Sequence, residues 1–249
     1  LKITKQKHVP IKFGAAEQTL SLDDFSERIL KPAMSVLAAN IEADVMNTVY
    51  KDVYQSVWNG ASPNTLAKIA RARTMLQRSL APLTDRTANL NPEDMADIVT
   101  AGSTLFNDSK EISKQYRDGF VGRHAGFDFA ENTMWNAHTR GDANGSYVCN
   151  TSTGITSGTA TVTISAGSGT IKAGDVFTIA GVFAVHPETK ANTGFLQQFV
   201  ATADGTTSVA VAPTPVTSGA AQNVVIVGAG ASKAVAVAGT ASTAVGTSL

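Results

Sequence analysis

The chain has 249 residues, and its 20 Lys plus Arg match its 20 Asp plus Glu, so the formal charge is zero. That balance disfavours a strongly basic nucleic-acid binder. No apolar run reaches the ~20 residues of a membrane span, and the single cysteine, Cys149, excludes an intrachain disulfide and a Cys-rich zinc site.

The expectation is a soluble, unsecreted chain with one large domain or two smaller ones. Composition changes near residue 145. Beyond Cys149 the charged side chains are Lys172, Lys190, Lys233, Asp175, Glu188 and Asp204. Leu, Met, Arg and Glu at helical spacing mark the front half, and Thr, Val, Ala, Ser and Gly dominate the back, which predicts an α+β chain.

In chain order, Lys2 to Phe13 alternates Ile3, Val9, Ile11 and Phe13 with polar or charged residues and predicts an exposed or edge strand. Ser21 and Asp24 resemble a capping box, and Leu22, Phe25 and Ile29 open a helix behind it. Pro32 should break or kink that helix, because its ring clashes with the preceding turn and it has no N–H. Val36, Leu37, Ile41, Val45, Val49, Val53 and Val57 then sit three or four apart, which predicts a helix from Ala33 to Trp58. Such a helix would span roughly 38 Å at 1.5 Å per residue.

Gly60, Ser62 and Pro63 end that helix, and a second from Asn64 to Leu80 carries Lys68, Arg71, Arg73 and Arg78. Without interleaved aromatics these four read first as a solvated helix face. Asn91-Pro92-Glu93-Asp94 supplies an N-cap, an N1 proline and two first-turn acids, so a third helix should run to Phe106. In the back half, Thr159 to Ile164, Val176 to Ile179, Phe199 to Thr202, Ser208 to Val211 and Val224 to Val227 are β-branched runs between Gly, Pro and Asp turns. They predict a small barrel or sandwich. Gly228 to Leu249 is low-complexity, and strand pair and loose connection stay open.

Two constellations resemble sites. Val224 to Gly230 resembles the strand and first glycines of a dinucleotide-binding turn, but Lys233 takes the third glycine position and no amphipathic helix follows. His124, Asp128, Glu131 and His138 are possible metal ligands, at a spacing that matches no His-Glu-x-x-His pattern. There is no Gly-x-Ser-x-Gly elbow and no plausible Cys–His arrangement. The expectation is therefore no enzyme, no cofactor and no metal.

Three stretches together resemble the major coat proteins of tailed double-stranded DNA bacteriophages, specifically the gene-five coat family of short-tailed phages. They are Leu20 to Arg28 with Leu30-Lys31-Pro32-Ala33; Asn91-Pro92 through Leu105-Phe106-Asn107 to Gly119-Phe120-Val121-Gly122-Arg123 and Ala125-Gly126-Phe127-Asp128; and Lys172 to Val182 with Thr193-Gly194 and Leu196 to Val200. The resemblance implies an HK97-like capsid fold, with an extended β-hairpin loop (1–20), a peripheral domain with a spine helix (21–62), an axial domain (63–143) and an inserted β-barrel with a return connection (144–249). An N-terminal arm and a C-terminal segment known in the family have no counterpart in these residues.

The function this implies is self-assembly into an icosahedral shell of hexamers and pentamers around the genome, built in the host bacterial cytoplasm with scaffolding and portal proteins and with no membrane. Lys5, Lys7, Val9, Ile11 and Phe13 would be intersubunit loop contacts. Lys68, Arg71, Arg73 and Arg78 would be an inward basic face touching packaged DNA non-specifically. A β-rich decoration or host- and carbohydrate-binding module of a virion is the alternative, and it explains only the back half.

Overall fold

The computed structural model describes residues 5–12, 14, 22–58, 62–102, 122–135, 137–242 and 244–247. The chain is α+β and forms two compact units, Leu1–Thr48 and Val49–Leu249.

The first unit is built on helix. Leu22–Phe25 (α1) leads through a π-helical turn, Ser26–Leu30, into Lys31–Val49 (α2). Pro32 does not break the helix. The Lys31 N–H reaches back five residues to the Ser26 carbonyl, so the ladder has already widened where proline offers no donor. The long helix is shorter than its periodicity predicts: α2 has 19 residues, about 28 Å. A 3₁₀ turn, Tyr50–Asp52, follows, and residues 53–58 are not helical. Val49, Val53 and Val57 therefore belong to a change of backbone type rather than to one helical stripe, and the Val, Tyr, Asp and Ser residues there are weak helix formers.

The second unit has two apolar cores. Leu66–Arg78 (α3) and Pro92–Gly102 (α4) flank a three-stranded sheet of Thr87–Leu90 (β1), Arg123–His124 (β2) and Phe127–Glu131 (β3), in the order β1-β3-β2 with β1 and β3 parallel. Ile69, Leu90, Met95, Ile98, Phe127 and Phe129 form the core beneath them. The expected cap of α4 is present, since Asn91 Oδ1 accepts the Glu93 N–H at 3.2 Å. Buried Asn64 ties the start of α3 to α4, giving its backbone N–H to Asp97 and its side-chain amide to Asp94. The predicted continuation of α4 to Phe106 lies outside the described residues.

The other core belongs to a seven-stranded antiparallel sheet. Its strands are Val148–Asn150 (β5), Thr161–Thr163 (β6), Val176–Val185 (β7), Asn192–Ala201 (β8), Ser208–Ala212 (β9), Val224–Ile226 (β10) and Ser232–Val237 (β11). They run in the order β5-β11-β7-β8-β9-β6, with β10 also on β7. Val148 and Ser165 exchange both backbone hydrogen bonds at 2.9 Å, which ties β5, at one end of the sheet, to the segment just after β6, at the other. Tyr147, Cys149, Val162, Ile171, Phe177, Ile179, Phe199, Val211 and Val235 are all buried between them. A separate pair joins Ala137–Thr139 (β4) to Ala244–Thr247 (β12).

The hairpin of β7 and β8 exceeds the predicted runs only towards its turn, with β7 continuing past Ile179 to Val185 and β8 starting at Asn192 rather than Phe199. Gly181 (φ +77°) and Gly194 (φ +77°) interrupt the alternation in sequence, yet in the structure they mark irregularities that the strands pass through. A bulge keeps a strand going where only glycine tolerates the backbone. The undecided stretch after Gly228 resolves into strands β11 and β12.

Candidate assembly surface

α2 buries no residue within the chain. At ~100° per residue, Leu30, Met34, Leu37, Ile41 and Val45 fall on one side of the helix. On that side Leu30 is 40% exposed, Met34 62%, Ile41 47% and Val45 52%. Val36, which the sequence pattern places in the same stripe, lies about 140° around the helix from Ile41 and is exposed as well. An amphipathic helix normally turns its apolar side to a core. Here that side faces solvent, which marks a contact surface.

Residues 5–12 pair with no strand among the described residues. They run beside α2, where Lys7, His8, Val9 and Pro10 face Val36, Leu37 and Asn40 across a shallow groove. Lys5 Nζ donates to Asp44 Oδ1 at 2.6 Å. The Lys5 hydrogen bond, reinforced by the charges of Lys5 and Lys7, holds the Asp44 carboxyl below its ordinary range. Of the predicted loop contacts, Lys5, Lys7, Val9 and Ile11 thus share this segment, and Phe13 lies outside the described residues.

The predicted basic face is only partly a face. Lys68 Nζ donates to the Trp58 carbonyl at 3.1 Å. The Arg78 guanidinium stacks 3.6 Å over the Phe195 ring, a cation–π contact between α3 and β8. Arg73 runs past Gly126, and Arg71 is exposed. By helical spacing Lys68, Arg71 and Arg78 share one side, and Arg73 is on another.

The metal quartet is spread over three strands: His124 on β2, Asp128 and Glu131 on β3, His138 on β4. Asp128 lies 3.8 Å from Arg123. Among the described residues no three His, Cys, Asp or Glu side chains group as metal ligands would. The glycine turn after β10 leads into strand β11 and not into a helix, so the phosphate-binding geometry of a dinucleotide turn is not formed.

One polar cluster was not legible beforehand. His138 Nε2 lies 2.7 Å from Asp175 Oδ1, and Tyr50 OH lies 3.1 Å from His138 Nδ1. Asp175 Oδ2 also accepts the N–H groups of Gly141 at 3.1 Å and Lys172 at 2.9 Å. Burial, together with the Asp175 charge, pushes the Tyr50 phenol above its ordinary value. The cluster borders a cavity of about 520 Å³ that is otherwise mostly apolar, with Ile69, Leu76, Leu90 and Phe127 in its wall. Only the turn signal Ala173-Gly174-Asp175 hinted at it. What the arrangement does is hold segments together: Tyr50 of the 3₁₀ turn bonds His138 of β4, and His138 in turn bonds the Asp175 carboxylate in the turn before β7.

Among the described residues, one apolar side of α2 stays exposed on this α+β chain, a feature that suits a subunit of an assembly. A family model described as P22 coat protein, gene protein 5, matches residues 2–247. The chain belongs to this coat-protein family and is a bacteriophage major capsid protein, a structural component of the virion. No curated protein sequence matches it.

Proposed function

We propose that this protein forms the icosahedral shell through an HK97-like arrangement, with residues 1–20 as part of the extended loop, 21–62 as the peripheral domain with its spine helix, 63–143 as the axial domain and 144–249 as an inserted barrel with its return connection. Hexamers and pentamers of the chain would enclose the double-stranded genome, assembling in the bacterial cytoplasm with scaffolding and portal proteins. The seven-stranded sheet, tied between its ends by Val148 and Ser165, supports the barrel reading. Lys5, Lys7, Val9, Ile11 and Phe13 are the proposed loop contacts. Arg71 and Arg73, with Lys68 and Arg78 beside them, are the proposed DNA-side charges. The family match spans both halves of the chain, so the binding-module alternative gains nothing from it.

The observation that carries this reading is the bare side of α2. Full burial of a Leu, Ile, Met or Val side chain stabilises by ~1.5–3 kcal/mol. Covering four that are already about half buried then contributes on the order of 4 kcal/mol. Association itself costs ~4–15 kcal/mol. One such contact therefore does not hold two subunits together, whereas several per subunit do, and a shell of weak contacts can correct its errors.

Electron microscopy of the complete gene product tests the proposal, with closed shells expected and monodisperse monomers refuting it. Ile41→Asp with Val45→Asp should leave the subunit folded, since exposed positions shift stability by only ~0.5 kcal/mol, and should abolish shells. Shells of normal yield from that variant would remove α2 from the interface.

A further inference from the structure

In the first unit the segment 5–12 lies beside α2. It has no strand partner among the described residues, and Lys5, Lys7, His8, Pro10 and Lys12 are exposed, while Val9 and Ile11 are half-buried. Its polar anchor is the 2.6 Å ion pair of Lys5 with Asp44, one turn before the Thr48 hydroxyl that bonds back to the Asp44 carbonyl at 2.8 Å. Asp44 is paired with Lys5 and is also under the positive charge of Lys7, so its attraction is directed at the segment. A shallow groove of about 210 Å³ remains between Lys7–Pro10 and Val36, Leu37 and Asn40.

While residues 5–12 lie beside their own helix, Val9 and Ile11 are half-buried and so only partly open to another subunit. We propose that the Lys5–Asp44 pair is a latch that parks residues 5–12 on their own α2 in the unassembled subunit, so that assembly waits on its release. The inference rests on the loop-contact reading above and adds its regulation. Both partners are open to solvent, with side-chain exposures of 56% and 31%. Such a pair biases an equilibrium without locking it, which suits a brake on nucleation better than it suits a structural bond. Release frees the half-buried Val9 and Ile11 and opens Leu37 further, enlarging the apolar surface that α2 already presents.

Light scattering of assembly at fixed subunit concentration tests the latch, comparing wild type with Asp44→Asn, Lys5→Gln and the exchanged pair Lys5→Asp with Asp44→Lys. Either single change should shorten the lag roughly two- to fivefold, the range an exposed ion pair spans, and the exchanged pair should restore it. Added salt should shorten the lag of wild type more than that of Asp44→Asn, because screening acts on the pair only where it exists. Hydrogen exchange gives a readout in the unassembled subunit: the amides of residues 5–12 should exchange faster in Asp44→Asn. Unchanged exchange and lag in the single variants, or no restoration by the exchanged pair, would overturn the latch while shells still form. Absence of shells from wild type would instead overturn the assembly reading, and the latch with it.

Discussion

Replacing Asp175 with alanine removes an acceptor on which three donors converge: the His138 imidazole at 2.7 Å, the Lys172 amide at 2.9 Å and the Gly141 amide at 3.1 Å. Asp175 is 2% exposed, so water does not readily take over. A buried donor left without a partner costs about 1–3 kcal/mol, and three donors lose theirs at once. Asp175→Ala should therefore lose about 3–5 kcal/mol, a large fraction of the ~5–15 kcal/mol that holds a domain folded. Asp175→Asn keeps one oxygen for the two amides. Its NH₂ can face His138 if the imidazole reverses its tautomer, accepting through Nε2 and donating through Nδ1 to the Tyr50 oxygen. That variant should lose only about 1–2 kcal/mol. Urea unfolding followed by the fluorescence of Trp58 and Trp135, which both line the adjoining cavity, measures the series. A loss below ~1 kcal/mol for the alanine variant, or equal losses for both, would show that the cluster is not the tie between these segments. With His138→Ala added, a double-mutant coupling near zero would show the same.

Phe199→Ala should destabilise the protein by about 3–5 kcal/mol, because Phe199 is 0% exposed and packs on Phe177 with ring centroids 6.0 Å apart; denaturant titration followed by far-UV circular dichroism checks it. Burial pushes the Cys149 thiol up to about 11 from an ordinary 9.0. The unfolded chain then gives up its proton first, so stability is full below pH 9.0 and falls as pH rises towards 11, by about 2–3 kcal/mol across that window. Unfolding midpoints of wild type and Cys149→Ala at both ends of the window should converge in alkali, and parallel curves would refute the burial argument.

Where the pattern depends on near neighbours along the chain, the sequence was a good guide. The α4 cap at Asn91 and the cores of β6, β7, β8, β9 and β10 were legible because capping side chains and β-branched runs act on their own backbone. The end of α2 was misplaced because valines at three- and four-residue spacing satisfy helical periodicity, and nothing local says that Val53 and Val57 continue in non-helical backbone. The basic face of α3 looked uniform in sequence. Its members separate in the structure because Lys68 and Arg78 find partners, Trp58 and Phe195, far from their helical neighbours. His138 read as one of four loosely spaced ligands and proved to be bound to Asp175 instead.

The sequence by itself determined the class of the chain, because the break in composition near residue 145 separates helix formers from strand formers and because the ordered motifs from Leu20 to Val200 carry the coat-family resemblance. Only the tertiary structure decided which apolar residues are covered. Val162 and Ile41 are equally hydrophobic in a sequence pattern, yet one is 0% and the other 47% exposed. Burial depends on what the rest of the chain brings alongside. Val162 has strands from across the second unit around it, whereas Leu30, Met34, Ile41 and Val45 on one side of α2 stay 40–62% exposed among the described residues.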